Sequence, residues 1–147
     1  MAVLDSDGVL HPVNTLEKCS RTHLLDPVLE AFPDTEVVLS TNWREVFPFD
    51  LLLETLTPGV AARVVGTTPV FPRAALRDIH DRMGPLCEYE CRSWLAEHRS
   101  AGAPWVALDD ERSAFSEMAP VVWCDPTVGL TAGQIDGLVL ALRRRDH

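Results

Sequence analysis

The chain alternates between short apolar runs that break into polar residues and longer stretches whose hydrophobic positions recur at helical spacing. Runs at residues 3–5, 37–39, 62–66, 105–108 and 121–124 read as five strands. Between the first two, Asp26 is expected to cap a helix with Pro27 at its first position, and Val28, Leu29 and Phe32 form its apolar face before Pro33-Asp34 ends it. Residues 43–56 read as helical with an interruption at Pro48, and Thr57-Pro58-Gly59 closes that segment. Residues 73–83 carry a weaker helical pattern and residues 85–98 a strong one. Thr131 with Gln134 makes a capping box for a last helix, in which Ile135, Leu138, Val139 and Leu142 share a face. Strands and helices in alternation predict an α/β three-layer sandwich, a five-stranded parallel sheet covered on both faces, in one domain spanning residues 1–147. There are no repeats and no low-complexity stretches.

Three of these strands end in chemistry. The first delivers Asp5 and Asp7 into a glycine turn, DSDGVL, near the carboxyl end of a strand, where parallel sheets bind their ligands. A carboxylate pair there suits nucleophilic attack by one member and proton transfer by the other. A hairpin would need a second alternating strand at once, which His11-Pro12 and Asn14-Thr15 do not supply. An EF-hand register would put Val3 and Asn14 at essential ligand positions. A plain acidic turn remains the competing reading of this motif taken alone. The second strand runs into Ser40, Thr41 and Asn42, with Asn42 as the expected helix cap; hydroxyls and helix-start amides make a phosphate seat, or serve only as caps. The fourth ends in Asp109 and Asp110, adjacent carboxylates that repel unless a cation sits between them, and oxygen ligands favour a hard ion such as Mg2+.

With these residues in order, the chain resembles the haloacid dehalogenase (HAD) superfamily, in particular its short phosphatase-like members. DSDGVL resembles the first motif, VVLSTNWR the second and VALDD the fourth, and the closing VVWCDPTVGLT is similar to the tail of small members. The resemblance implies a strand order 5-4-1-2-3 with the nucleophile strand central. It implies Asp5 as the nucleophile that forms an aspartyl-phosphate and binds Mg2+, and Asp7 as general acid and base with its backbone carbonyl on the metal. Ser40 would hold the transferring phosphoryl group, and Asp109 would complete the metal site with Asp110 close by. The segments in which relatives insert cap domains are short here: residues 9–25 can form only a flap, and residues 44–86 hold ordinary helices and one strand. The expectation is an open site without a large cap. Capless relatives tend to act on exposed ends of larger molecules, and small members of this kind occur as domains of nucleic-acid repair proteins. His11, Trp43 and Arg44 are candidates to meet a leaving group.

The sequence departs from the family at the third motif. By the resemblance a lysine or arginine is expected shortly before or within the helix that precedes the fourth motif, and here the aligned position is Cys87, in CEYECRSWL; no lysine follows Lys18. Arg82, just upstream, and Arg77 or Arg44 are the candidates to bring a cation to the phosphate. Losing one such stabiliser costs about 3 kcal/mol in the barrier. The expected function is therefore a Mg2+-dependent phosphomonoesterase, with a weak or inactive metal- and phosphate-binding domain as the alternative.

Composition narrows the setting. With 147 residues, 46% hydrophobic and 24% charged, the chain is long enough for one core. No apolar run approaches the roughly 18 residues of a membrane span, and no signal-peptide pattern opens the sequence, so a cytoplasmic protein is expected. Four cysteines without paired metal-ligand spacing read as reduced thiols. Thirteen basic against 22 acidic residues, a net charge of −9, argue against broad nucleic-acid binding. They leave room for a phosphorylated nucleic-acid end entering a locally basic pocket. The basic run at residues 143–145 reads as a complement to the last helix's dipole.

Overall fold

A computed structural model describes residues 1–13 and 19–145. Five strands, β1 (Ala2–Leu4), β2 (Val37–Leu39), β3 (Val64–Thr67), β4 (Val106–Asp109) and β5 (Val121–Trp123), form one parallel sheet in the order β3-β2-β1-β4-β5. This is the expected order, with β1 central. Each strand is three or four residues long, and β1, β2 and β4 are buried throughout, because helices cover both faces.

The strands' two-residue period divides the core. Ala2, Leu4, Val37, Leu39, Val106 and Leu108 share one cluster with Val28 and Leu29 of helix α1 (Asp26–Ala31). Leu52 of α2 (Phe49–Glu54), Val60 of α3 (Pro58–Ala61) and Leu138 and Leu142 of the last helix (Ala132–Arg145) complete it. Val3, Val38 and Ala107 face the other way, onto Trp105, Phe115 and residues Cys91, Trp94 and Leu95 of the helix Leu86–His98. Between these lies α4 (Leu76–Met83), so Leu86–His98 is α5 and Ala132–Arg145 is α6. A slip of one residue in any strand would exchange the two apolar sets, so the pattern pins the register.

Local differences from the expectation have identifiable causes. Asp26 does not cap α1: a 3₁₀ turn, Thr22–Leu25, runs straight into the helix and makes Asp26 its first residue, and its carboxylate instead accepts a hydrogen bond from Thr57 Oγ1 at 2.9 Å. Asn42 is likewise inside its 3₁₀ turn, Asn42–Glu45, and Thr41 is the cap, its Oγ1 accepting from Trp43 N–H. Pro48 splits the segment as expected, but Pro58 opens α3 rather than ending a helix, since proline suits a first helical position. The N–H and hydroxyl of Thr131 both donate to Gln134 Oε1. The connections after β1 and β2 hold turns, short helices and β3, with no large cap; residues 14–18 of the expected flap lie outside the described residues. Among the described residues no helix is long and apolar enough to cross a membrane.

Candidate active site

The register assembles the site. Leu4 of β1 is paired with Leu39 of β2 and Leu108 of β4, so the next residues, Asp5, Ser40 and Asp109, leave three adjacent strands at one height. Backbone bonds hold that step: Ser40 N–H donates to the Leu4 carbonyl at 2.8 Å and Asp5 N–H to that of Leu108 at 3.4 Å.

Asp5, Asp109 and Asp110 form a trio whose carboxylate oxygens lie within 4.8 Å of one another. Burial and the nearby carboxylates push Asp5 up to about 8, although Ser6 N–H donates to its Oδ1 at 2.7 Å. Burial likewise pushes Asp109 up to about 6, against two backbone donors, Asp110 N–H and Glu111 N–H, on its Oδ1. Crowded carboxylate oxygens at the mouth of a parallel sheet fit a hard divalent ion by donor chemistry. Gly8 closes the cradle from the side. It sits at φ +78°, and a β-carbon there would collide with Asp110 Oδ2.

Asp7 stands outside the trio, its side chain 55% exposed, and is held by His11. Cys19 N–H donates to His11 Nδ1 at 2.9 Å, which leaves the ring proton on Nε2, and Nε2 donates to Asp7 Oδ1 at 2.8 Å. The imidazole stacks on Trp43 with centroids 5.2 Å apart. His11, a candidate to meet a leaving group, is only 4% exposed, and its partner is the carboxylate four residues earlier. The only signal for this in the chain was the spacing of Asp7 and His11.

The phosphate-binding candidates separate. Ser40 is at the site, its Oγ donating to the Leu4 carbonyl at a long 3.3 Å. Thr41 is buried and acts as a cap, while Asn42 is exposed beside it. Arg44 is a correction. Its guanidinium is buried, and all five N–H donors are engaged, by the carbonyls of Ser40, Thr41, Thr68 and Pro69 and by Glu90 Oε2 at 2.8 Å. Nothing is left for a phosphate. Arg82 is the second correction: it is 76% exposed on α4 and paired with Asp78. Cys87 does face the acids. Burial pushes its thiol far up, and the charges of Asp109, Glu90 and Asp5 push it further. Cys124, on the β5 side, is pushed up to about 12 by burial and then by Asp109, Asp110 and Asp5. Cys19, Cys87, Cys91 and Cys124 are thiols and form no disulfide among the described residues.

No curated protein and no solved structure matches the chain. Residues 2–135, nearly the whole of it, match a family described as the HAD domain in Swiss Army Knife RNA repair proteins, which is associated with phosphatase-type hydrolase chemistry. That match and the order of the acidic strand ends agree: this chain belongs to the family of HAD domains in Swiss Army Knife RNA repair proteins.

Proposed function

We propose that the chain is a Mg2+-dependent phosphomonoesterase that works through a phospho-Asp5 intermediate on a phosphorylated nucleic-acid end. The observation that carries this is the meeting of Asp5, Asp109 and Asp110 at one sheet edge, with Asp7 held beside them by His11. Mg2+ held by the trio and by the Asp7 backbone carbonyl would keep the carboxylates ionised and offset phosphoryl charge. An Asp5 oxygen attacks phosphorus, the ester P–O bond breaks, and Asp7 gives its proton to the departing oxygen. Asp7 then takes a proton from a water as that water attacks phosphorus and the Asp5 O–P bond breaks, which releases phosphate, returns Asp5 as a carboxylate and leaves Asp7 protonated for the next cycle. Ser40 Oγ, weakly held by Leu4, turns to donate to a phosphoryl oxygen. The RNA-repair description of the family and the absence of a large cap support a polymer end as substrate, recognised locally because the chain as a whole is acidic.

The second reading is a metal- and phosphate-binding domain with little turnover, favoured by one observation: Cys87 faces the acids where a cation is expected. Hydrolysis of an aryl phosphate with and without Mg2+, by wild type, Asp5→Asn and Asp7→Asn, separates the two. Metal-dependent turnover that both substitutions abolish, in variants that remain folded, is the expected result. Full turnover in Asp5→Asn would overturn the aspartyl-phosphate route. Wild-type binding of Mg2+ without turnover of any phosphorylated oligonucleotide end would establish the second reading.

A further inference from the structure

On the α5 side of the site lies a cleft of about 270 Å³ walled by Asn42, Phe71, Arg73, Leu86, Cys87 and Glu90 together with Arg44. It opens beside the strand ends: Asn42 follows Ser40 and Thr41 at the carboxyl end of β2, and Ser40 is bonded to Leu4, the residue before Asp5. Two arginines line it, and their states are opposite. Arg44 is buried with every donor engaged. Arg73, in the 3₁₀ turn Arg73–Ala75 between β3 and α4, is exposed, and its guanidinium has no hydrogen-bond or ion-pair partner among the described residues.

We infer that Arg73 supplies, from across this cleft, the cation that Cys87 does not, and that its guanidinium binds the phosphate oxygens of the substrate. Two features support the assignment. The cleft places Arg73 and the Cys87 position on the walls of one cavity, so a charge from either side serves the same space. A guanidinium also offers paired N–H donors that match two phosphoryl oxygens, and it keeps its charge at any working pH. A free arginine on a longer lever replaces a lysine in the helix. The consequence for the reaction is that charge compensation comes from the loop after β3 and depends on that loop's position.

This assignment rests on the reading of the site as one for phosphate esters, and two measurements keep the two apart. Binding of inorganic phosphate in the presence of Mg2+ is measured by calorimetry, and p-nitrophenyl phosphate hydrolysis by initial rates. Both use wild type, Arg73→Gln, Arg73→Lys and Arg144→Gln. Arg144 lines a cleft with Val106 at the amino end of β4 and serves as the charge control. Arg73→Gln is expected to weaken phosphate affinity about tenfold or more, with Arg73→Lys between it and wild type and Arg144→Gln unchanged. Wild-type hydrolysis that Arg73→Gln leaves untouched in kcat and KM overturns the inference while the phosphatase reading stands. Phosphate binding that depends on Arg73 without any hydrolysis upholds the inference and removes the phosphatase. Neither binding nor hydrolysis by wild type removes both.

Discussion

At Asp7 the carboxylate is positioned by a ring that is itself immobilised. His11 receives a backbone N–H on one nitrogen, donates from the other, and lies flat on Trp43. Fixed geometry matters most where Asp7 must deliver a proton, which is when the leaving oxygen is a poor leaving group. His11→Ala is therefore expected to lower kcat for an alkyl phosphate by about tenfold to a hundredfold, within what a positioned acid contributes. It should affect p-nitrophenyl phosphate much less and leave KM for both nearly unchanged. Equal losses on the two substrates would reduce His11 to a packing role. The placement of Asp5 and Asp109 was legible because acids directly after apolar runs stand out against the pattern, and that of Asp7 through the Asp-x-Asp-Gly turn. His11 was not, since its burial depends on Cys19 and Trp43, which only the folded chain brings to it. Arg44 and Arg82 misled for a related reason: a cation's availability is set by competing acceptors, which are backbone carbonyls and Glu90 for Arg44 and the Asp78 carboxylate for Arg82.

Among the elements, Arg44 ties the ends of two neighbouring strands to a helix. It binds the carbonyls that follow β2, those that follow β3, and Glu90 in α5. The loop that presents Ser40 is thereby tied to the loop that leads to Arg73. Arg44→Ala would leave Glu90 buried without its cation and several carbonyls without donors, and is expected to cost about 3–5 kcal/mol, read as a shift in the urea midpoint. A shift below 1 kcal/mol would show that water replaces the guanidinium at little cost. Element types were readable from periodicity, but their edges were not. Thr41 rather than Asn42 caps its turn, and Asp26 is drawn into α1 by the 3₁₀ turn before it, because cap identity depends on the incoming backbone as much as on the side chain.

For the molecule as a whole, the acidic trio links stability to pH and to metal. Asp5 and Asp109 are pushed up to about 8 and about 6 from an ordinary value of 3.8, so the folded protein holds these protons more tightly than the unfolded chain. Their contribution to stability is complete below that ordinary value and is lost as pH rises through 6 and then 8. Melting in a chelator is therefore expected to fall in temperature between pH 5 and pH 8. On the proposed function Mg2+ binds the ionised trio, and its addition is then expected to raise the melting temperature more at pH 8 than at pH 5. An equal rise at both would mean that the ion does not bind there. The parallel order of the strands was legible through the motif resemblance rather than through the pattern, which specifies alternation but not which strand lies in the middle.

The central position of β1 also sets when the site comes into existence. Leu4 is flanked by Leu39 on one side and Leu108 on the other, and the second contact closes a loop of about a hundred residues, the kind of distant pairing that slows folding. During synthesis the strand that carries Asp5 is made early and its second neighbour late. Until β4 and Asp110 emerge from the ribosome, Asp5 and Asp7 are carboxylates on an unfinished edge, and no cluster exists to capture an ion. Metal capture is therefore a report on completion. A nascent chain arrested before residue 105 carries Asp5 and Asp7 without Asp109 and Asp110, and its stability is expected to gain nothing from Mg2+.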